Sequence, residues 1–267
     1  MDVNPALVSR FSLLAALLTV VLFATMLFFL EVGRRIGIRS QQKIGEASRT
    51  GVGVVDSAVY AVLALLLGFM FNGATGRFDA RRDLVTQEVS TMSTAWQRID
   101  ALPAQAQPTI RDALKRYVDA VVGVHVTSPG SPQFNRHASD LVPAQDDLWT
   151  RAMAASLADA AGDKARMLLL PSLNEMFDVV DRERLAVRNH PPLIIWVMLS
   201  VAALAAALFA GYSMALAKSR NWLFILGTAA TISIVTYVVL ELEYPRLGFV
   251  RVSAIDRGLV EVRQTMR

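Results

Sequence analysis

Three histidines, His125, His137 and His190, and a scatter of carboxylates are the side chains of this 267-residue chain best suited to acid–base or metal chemistry. Their spacing builds neither. No histidine stands three or four residues from another, or from a carboxylate pair, as a zinc pattern requires. Each therefore reads as a surface or interfacial histidine. Glu88, Asp100, Asp146, Asp147, Glu175, Asp178 and Asp181 read as ordinary charges on solvated helical faces. The run GVGVV at Gly51 to Val55 follows a basic loop and enters an apolar stretch instead of leaving a strand, so it makes no phosphate loop. Cysteine is absent, which excludes disulfide and thiolate chemistry. With no nucleophile elbow and no paired catalytic groups, the sequence predicts no enzyme, no cofactor and no metal site.

The charges with positional meaning flank apolar runs. Arg77, Asp79, Arg81, Arg82 and Asp83 follow one such run, and Glu241, Glu243 and Arg246 follow another. Hydrophobic residues make up 54% of the chain and charged ones 19%, too apolar a balance for an ordinary soluble domain. Four stretches meet the length needed to cross a bilayer, roughly 20 apolar residues. They lie at about 11–30, 54–72, 193–217 and 222–240. The first carries no charge from Phe11 to Leu30; its apolar core is too long for a signal peptide, its leader holds only Arg10, and no small-residue cleavage site precedes Glu31. A multi-pass protein of the cell membrane follows, in a bacterium the inner membrane, with membrane lipids as its surroundings. The net charge of +4 fits basic flanks of spanning helices better than a nucleic-acid footprint, and no nucleic-acid partner is expected.

The layout divides into two spans over 1–72, an extramembrane segment over 73–190, and two further spans with a C-terminal tail over 191–267. The middle segment reads as helical throughout. In TIRDALKRYVDAVVGV, residues Ile110, Leu114, Tyr117, Val118 and Val121 form one stripe opposite charged residues. The break SPGSPQ at Ser128 to Gln133 is followed by helical stretches over about 138–161 and 163–189, with Pro171 either restarting or kinking the last one. No useful period-2 alternation appears, so the expected fold is an all-α integral membrane protein. Alternating spans put the charge clusters after the second and fourth on one side, where Arg77 or Arg81 can pair with Glu241 or Glu243. The alternative is that these charges end the spans among lipid headgroups.

GFMFNGATGRFDARR in the second span, LLPSLNEMFDVVDRERLAVRN before the third, Gly211-Tyr212, and ELEYPRLGFVRV after the fourth together resemble the bacterial bestrophin-like family, a domain of unknown function. The resemblance runs from about Gly51 to Val252. The chain departs from the family pattern at Glu88-Val89-Ser90, where an acidic residue followed by alanines is usual, and at Glu241 and Glu243, where aspartates are usual. More distantly the chain is similar to bestrophin channels, in which the second span of five subunits lines the pore and continues as a long helix. Gly68-Phe69 followed by Arg77-Phe78 fits that likeness, which maps an apolar neck onto Ala61, Leu65 and Phe69. Steps of four keep these residues on one helix face, and a ring of them would gate by dewetting. The same apolar stripe also suits ordinary helix packing or lipid contact.

Continuing that face at about 100° per residue brings Asn72, Gly76, Asp79 and Asp83 into line and turns Arg77 and Arg81 away. The mouth of such a pore would be acidic, which favours cations, whereas the resemblance implies anions. Orientation is likewise divided. Arg34, Arg35, Arg39, Lys43, Arg49, Lys218 and Arg220 in the short loops place those loops in the cytoplasm, while the resemblance places the middle segment there. The resemblance thus implies a homo-oligomer, a pentamer as in bestrophin channels, that conducts small inorganic ions passively. Its alternative is a non-conducting membrane scaffold or sensor whose helical segment binds a partner.

Overall fold

The computed structural model describes residues 5–41, 49–157, 162–215, 221–244 and 253–266. Lys43, Lys218, Arg220 and Arg246, and the motif residues 245–252, lie outside them. The described residues form α-helices and one 3-10 turn, with no strand. In chain order they are α1 (Pro5–Gln41), α2 (Arg49–Arg98), α3 (Gln107–Val126), α4 (Pro132–Leu157), α5 (Gly162–Arg188), α6 (Leu193–Met214), α7 (Trp222–Glu243) and α8 (Ser253–Thr265).

Four helical stretches among the described residues are long and apolar enough to cross a membrane, one each in α1, α2 and α7 and one ending in α6. The second span does not stop at its apolar limit. Residues 49–98 form one helix of 50 residues, about 75 Å long at 1.5 Å per residue, because nothing between Gly76 and Arg98 breaks it: the segment holds no proline. Prolines and glycines set the boundaries elsewhere. Pro108 sits in the first turn of α3. Gly130, at φ +80°, makes the turn before α4, and Pro132 opens that helix inside the expected break. Pro171 lies within α5, which runs through it.

The chain divides into two compact units. One comprises 10–76 and 190–244 and contains the membrane-spanning helices. Its core gathers Met26, Leu63, Leu67, Met70, Ala74, Leu199, Ala203, Ala206, Ala207, Ala229, Ile232 and Val239. Small residues carry the α1–α6 contact: a Cβ on Gly33 would strike the backbone of Leu208, and one on Gly211 the carbonyl of Leu30. Backbones approach this closely only where side chains are absent, and close approach gives the dispersion contacts and polar bonds that hold helices together in lipid. The Tyr212 hydroxyl reaches Ser40 Oγ at 3.2 Å across the same seam.

The other unit comprises 77–189, 245–267 and the first nine residues. The stripe expected on α3 is its centre: Ile110, Leu114, Tyr117, Val118 and Val121 are all buried. Val85, Met92 and Ala95 of α2, Leu141, Leu148 and Ala152 of α4, and Leu169, Leu173, Met176 and Phe177 of α5 close around it. The C-terminal tail adds α8, whose Leu259 is buried in the same core and whose Arg263 makes a two-pronged bond to Asp119 at 2.6 and 2.9 Å.

Candidate functional site

Helix α2 presents two continuous faces. Leu63, Leu67, Met70, Ala74, Arg81, Val85, Glu88 and Met92 recur at helical spacing and are buried. Nearly opposite, Ala61, Leu65, Phe69, Asn72, Gly76, Asp79 and Asp83 are all exposed. Leu65 is 58% and Phe69 65% exposed, and added Cβ atoms on Gly68 and Gly76 would meet nothing within 4 Å. The exposed stripe is apolar from Ala61 to Phe69 and polar from Asn72 onward. Asp79 has a cation close by, Arg82 Nη1 at 3.9 Å, so the negative charge of the polar end is carried more fully by Asp83.

The arginines take other roles. Arg81 is buried, and its guanidinium donates to the carbonyl oxygens of Ala186 at 3.2 Å and Asn189 at 3.1 Å. Those carbonyls belong to the last turn of α5 and the residue after it, where backbone acceptors lack helical partners and a cation complements the helix dipole. Arg77 is half-buried. Glu241 and Glu243, on α7, are both buried. The Tyr237 hydroxyl donates to Glu241, one turn earlier on the helix. Glu243 Oε1 lies 3.6 Å from Nδ1 of His190, whose ring stacks on Tyr244 at 4.5 Å. In the same unit, Ser213 donates to Asp56 at 2.9 Å, which partners the carboxylate at the edge of the second span.

Two sequence readings are corrected. Glu88 is not on a solvated face, nor is His125 at the surface: both are buried, and they meet Glu183 of α5 in a cluster of three. His125 Nε2 is 3.4 Å from Glu88 Oε2 and 4.0 Å from Glu183 Oε1. Its other nitrogen, Nδ1, is 3.0 Å from the carbonyl of Val121. A carbonyl only accepts, so Nδ1 carries a proton, and Nε2 is the nitrogen turned toward the carboxylates. Tyr117 lies close by, its phenol kept protonated by burial first and by the charge of Glu88 second. The signal was in the sequence. Glu88 continues the stripe of Val85, Met92 and Ala95, and His125 continues that of Leu114, Val118 and Val121, so each is a polar residue on an apolar face. His137 packs its ring on Gly123.

A cavity of about 330 Å³ opens beside the cluster, bounded by His125, Glu183, Arg184, Arg188 and Phe134. A second, about 570 Å³ and largely apolar, lies among the spans between Tyr60, Leu67, Phe224 and Thr231.

The geometry finds counterparts among known proteins. A comparison with curated proteins returns no significant match. Among solved structures, one variant of a bacterial bestrophin homologue from Klebsiella pneumoniae matches with a TM-score of 0.59 at 16% identity, over 91% of this chain and 97% of that one. A second variant of that homologue matches with a TM-score of 0.58 at 18% identity, over 90% and 98%. At such identities the likeness establishes the fold. The Bestrophin-like domain model matches residues 20–255, nearly the whole of the chain and all four spans except the start of the first, and this chain accordingly belongs to the Bestrophin-like domain family.

Proposed function

We propose that this protein is the subunit of a homo-oligomeric passive ion channel whose permeation path is lined by the exposed face of α2. The observation that carries the reading is the stripe itself. A helix that buries one face in its own subunit leaves the opposite face, Ala61 to Asp83, for lipid, for another copy, or for a path. Lipid suits Leu65 and Phe69, and water suits Asp79 and Asp83 in the extramembrane segment, but a path about an axis accommodates the whole face, Asn72 included, without a break. Copies arranged about an axis satisfy both halves. Ala61, Leu65 and Phe69 then form an apolar neck that gates by dewetting, and Asn72, Asp79 and Asp83 a polar mouth. Five copies are the number proposed, by likeness to bestrophin channels. The acidic mouth favours cations, with Arg82 moderating Asp79.

The test is a mass measurement in detergent followed by ion flux from liposomes under a salt gradient. A pentamer with a leak, whose reversal potential shifts toward anions in Asp79→Asn/Asp83→Asn, supports the reading. A monomer or dimer without a leak supports instead a non-conducting scaffold whose helical unit binds a partner.

A further inference from the structure

We propose that Glu88, His125 and Glu183 form a binding site for one divalent transition-metal ion of the zinc type. Three helices, α2, α3 and α5, each contribute one donor, and all three donors are buried, with the ligand atoms within 4.8 Å of one another. The chemistry of the set suits such an ion: zinc accepts both imidazole nitrogen and carboxylate oxygen, whereas magnesium and calcium prefer oxygen alone.

The spacing agrees. Two ligands each about 2.0–2.1 Å from a shared tetrahedral ion stand roughly 3.4 Å apart. Nε2 of His125 and Oε2 of Glu88 are 3.4 Å apart, where a direct charge-assisted hydrogen bond would draw them to about 2.7–2.9 Å. Glu183 Oε1, at 4.0 Å from Nε2, needs a shift of about half an ångström to match. The orientation agrees as well. The bond from Nδ1 to the Val121 carbonyl places a proton on Nδ1 and leaves Nε2 as the nitrogen turned toward the carboxylates and available to a metal, the arrangement that metal-ligating histidines adopt through an outer partner.

A separate observation comes from Tyr117. Its hydroxyl is wholly buried and has no hydrogen-bond partner among the described residues, yet it feels the charge of Glu88. Three protein ligands leave a fourth position for water, and a metal-bound water is the kind of group that such a hydroxyl can bond. The cavity lined by His125 and Glu183 gives the ion and its water a route of entry.

The test uses the full chain, purified in detergent without an affinity tag or chelator. Elemental analysis should find about one zinc per chain. After stripping with EDTA, added Zn²⁺ should raise the unfolding temperature, and Co²⁺ should give the visible absorption of a tetrahedral site. Glu183→Gln, at the cavity edge, should weaken zinc binding by at least about tenfold while helical content and oligomer mass stay as in the wild type. Glu88→Gln, deeper in the core, should do the same if it folds. Two results would overturn the proposal. One is a wild-type protein that neither retains zinc nor responds to it, which would leave an imidazolium held between two carboxylates. The other is zinc binding that is equal in the wild type and Glu183→Gln, which would place the ion elsewhere on the surface.

Discussion

Truncating Phe69 separates the role of one face of α2 from that of the other. Phe69 is 65% exposed within its subunit, whereas Leu67, nearly opposite on the helix, is 8% exposed. Phe69→Ala thus removes little packing from the subunit and should change its unfolding by less than about 1 kcal/mol. Leu67→Ala opens a cavity among the spans, at a cost on the order of 2 kcal/mol, since in lipid chiefly the cavity part of the usual large-to-small cost applies. Flux should move in the opposite sense. In the proposed channel, removing a phenyl ring from every subunit at the apolar neck lowers the dewetting barrier. A tenfold rise in leak corresponds to only about 1.4 kcal/mol off that barrier, so at least tenfold is expected. The assay is fluorescence-monitored ion release from liposomes loaded with equal amounts of each protein, alongside thermal unfolding in detergent. Wild-type flux from Phe69→Ala, or a stability loss in it as large as that of Leu67→Ala, refutes the assignment of faces.

Three further outcomes are expected. Arg81→Met removes both donors to the end of α5 and should cost about 2–3 kcal/mol, read as a lower unfolding temperature, with Arg81→Lys recovering part of it. Bonds from Arg116 first and Arg151 second, each 2.7 Å, hold the Asp147 carboxyl below the usual range. Because that value is depressed, the stabilisation is present above an ordinary aspartate value of about 3.9 and disappears as pH falls through the lowered one. Asp147→Asn should thus cost less than about 1 kcal/mol near neutrality, and the difference should vanish in acid denaturation curves. Gly211→Val, pressed against the Leu30 carbonyl, should lose at least about 1–3 kcal/mol in detergent, whereas Gly227→Val, with nothing within 4 Å, should match the wild type.

The spans were legible because lipid imposes a rule of length and apolarity that a sequence displays directly, and the buried stripe of α3 because 3.6-residue periodicity sorts its two faces. The cluster of Glu88, His125 and Glu183 was harder to see. Glu88 and Glu183 are 95 residues apart, and a lone carboxylate is solvated far more often than it is buried. A sequence displays each residue's type and near neighbours, and no spacing rule links three helices that meet only in the folded chain. The stripe of α2 was a partial case. Its register followed from geometry, but that the opposite face would be left uncovered depends on which helices pack against it. Arg81 illustrates the same limit: two of the groups it bonds are backbone carbonyls, which carry no mark in a sequence.

The unbroken course of α2 has a mechanical consequence. A rod with no proline between its two halves resists bending, but it still transmits torsion, because every peptide plane is bonded to the turn above it. Glu88 and Phe69 are 19 residues apart, about 28 Å along the axis. With side-chain tips about 6 Å from the axis, a turn of the shaft by roughly 20° sweeps each one through about 2 Å. A twist applied to the helix at Glu88 would travel along its hydrogen-bonded turns toward Phe69, much as a key turned at one end of a spindle moves the bolt at the other.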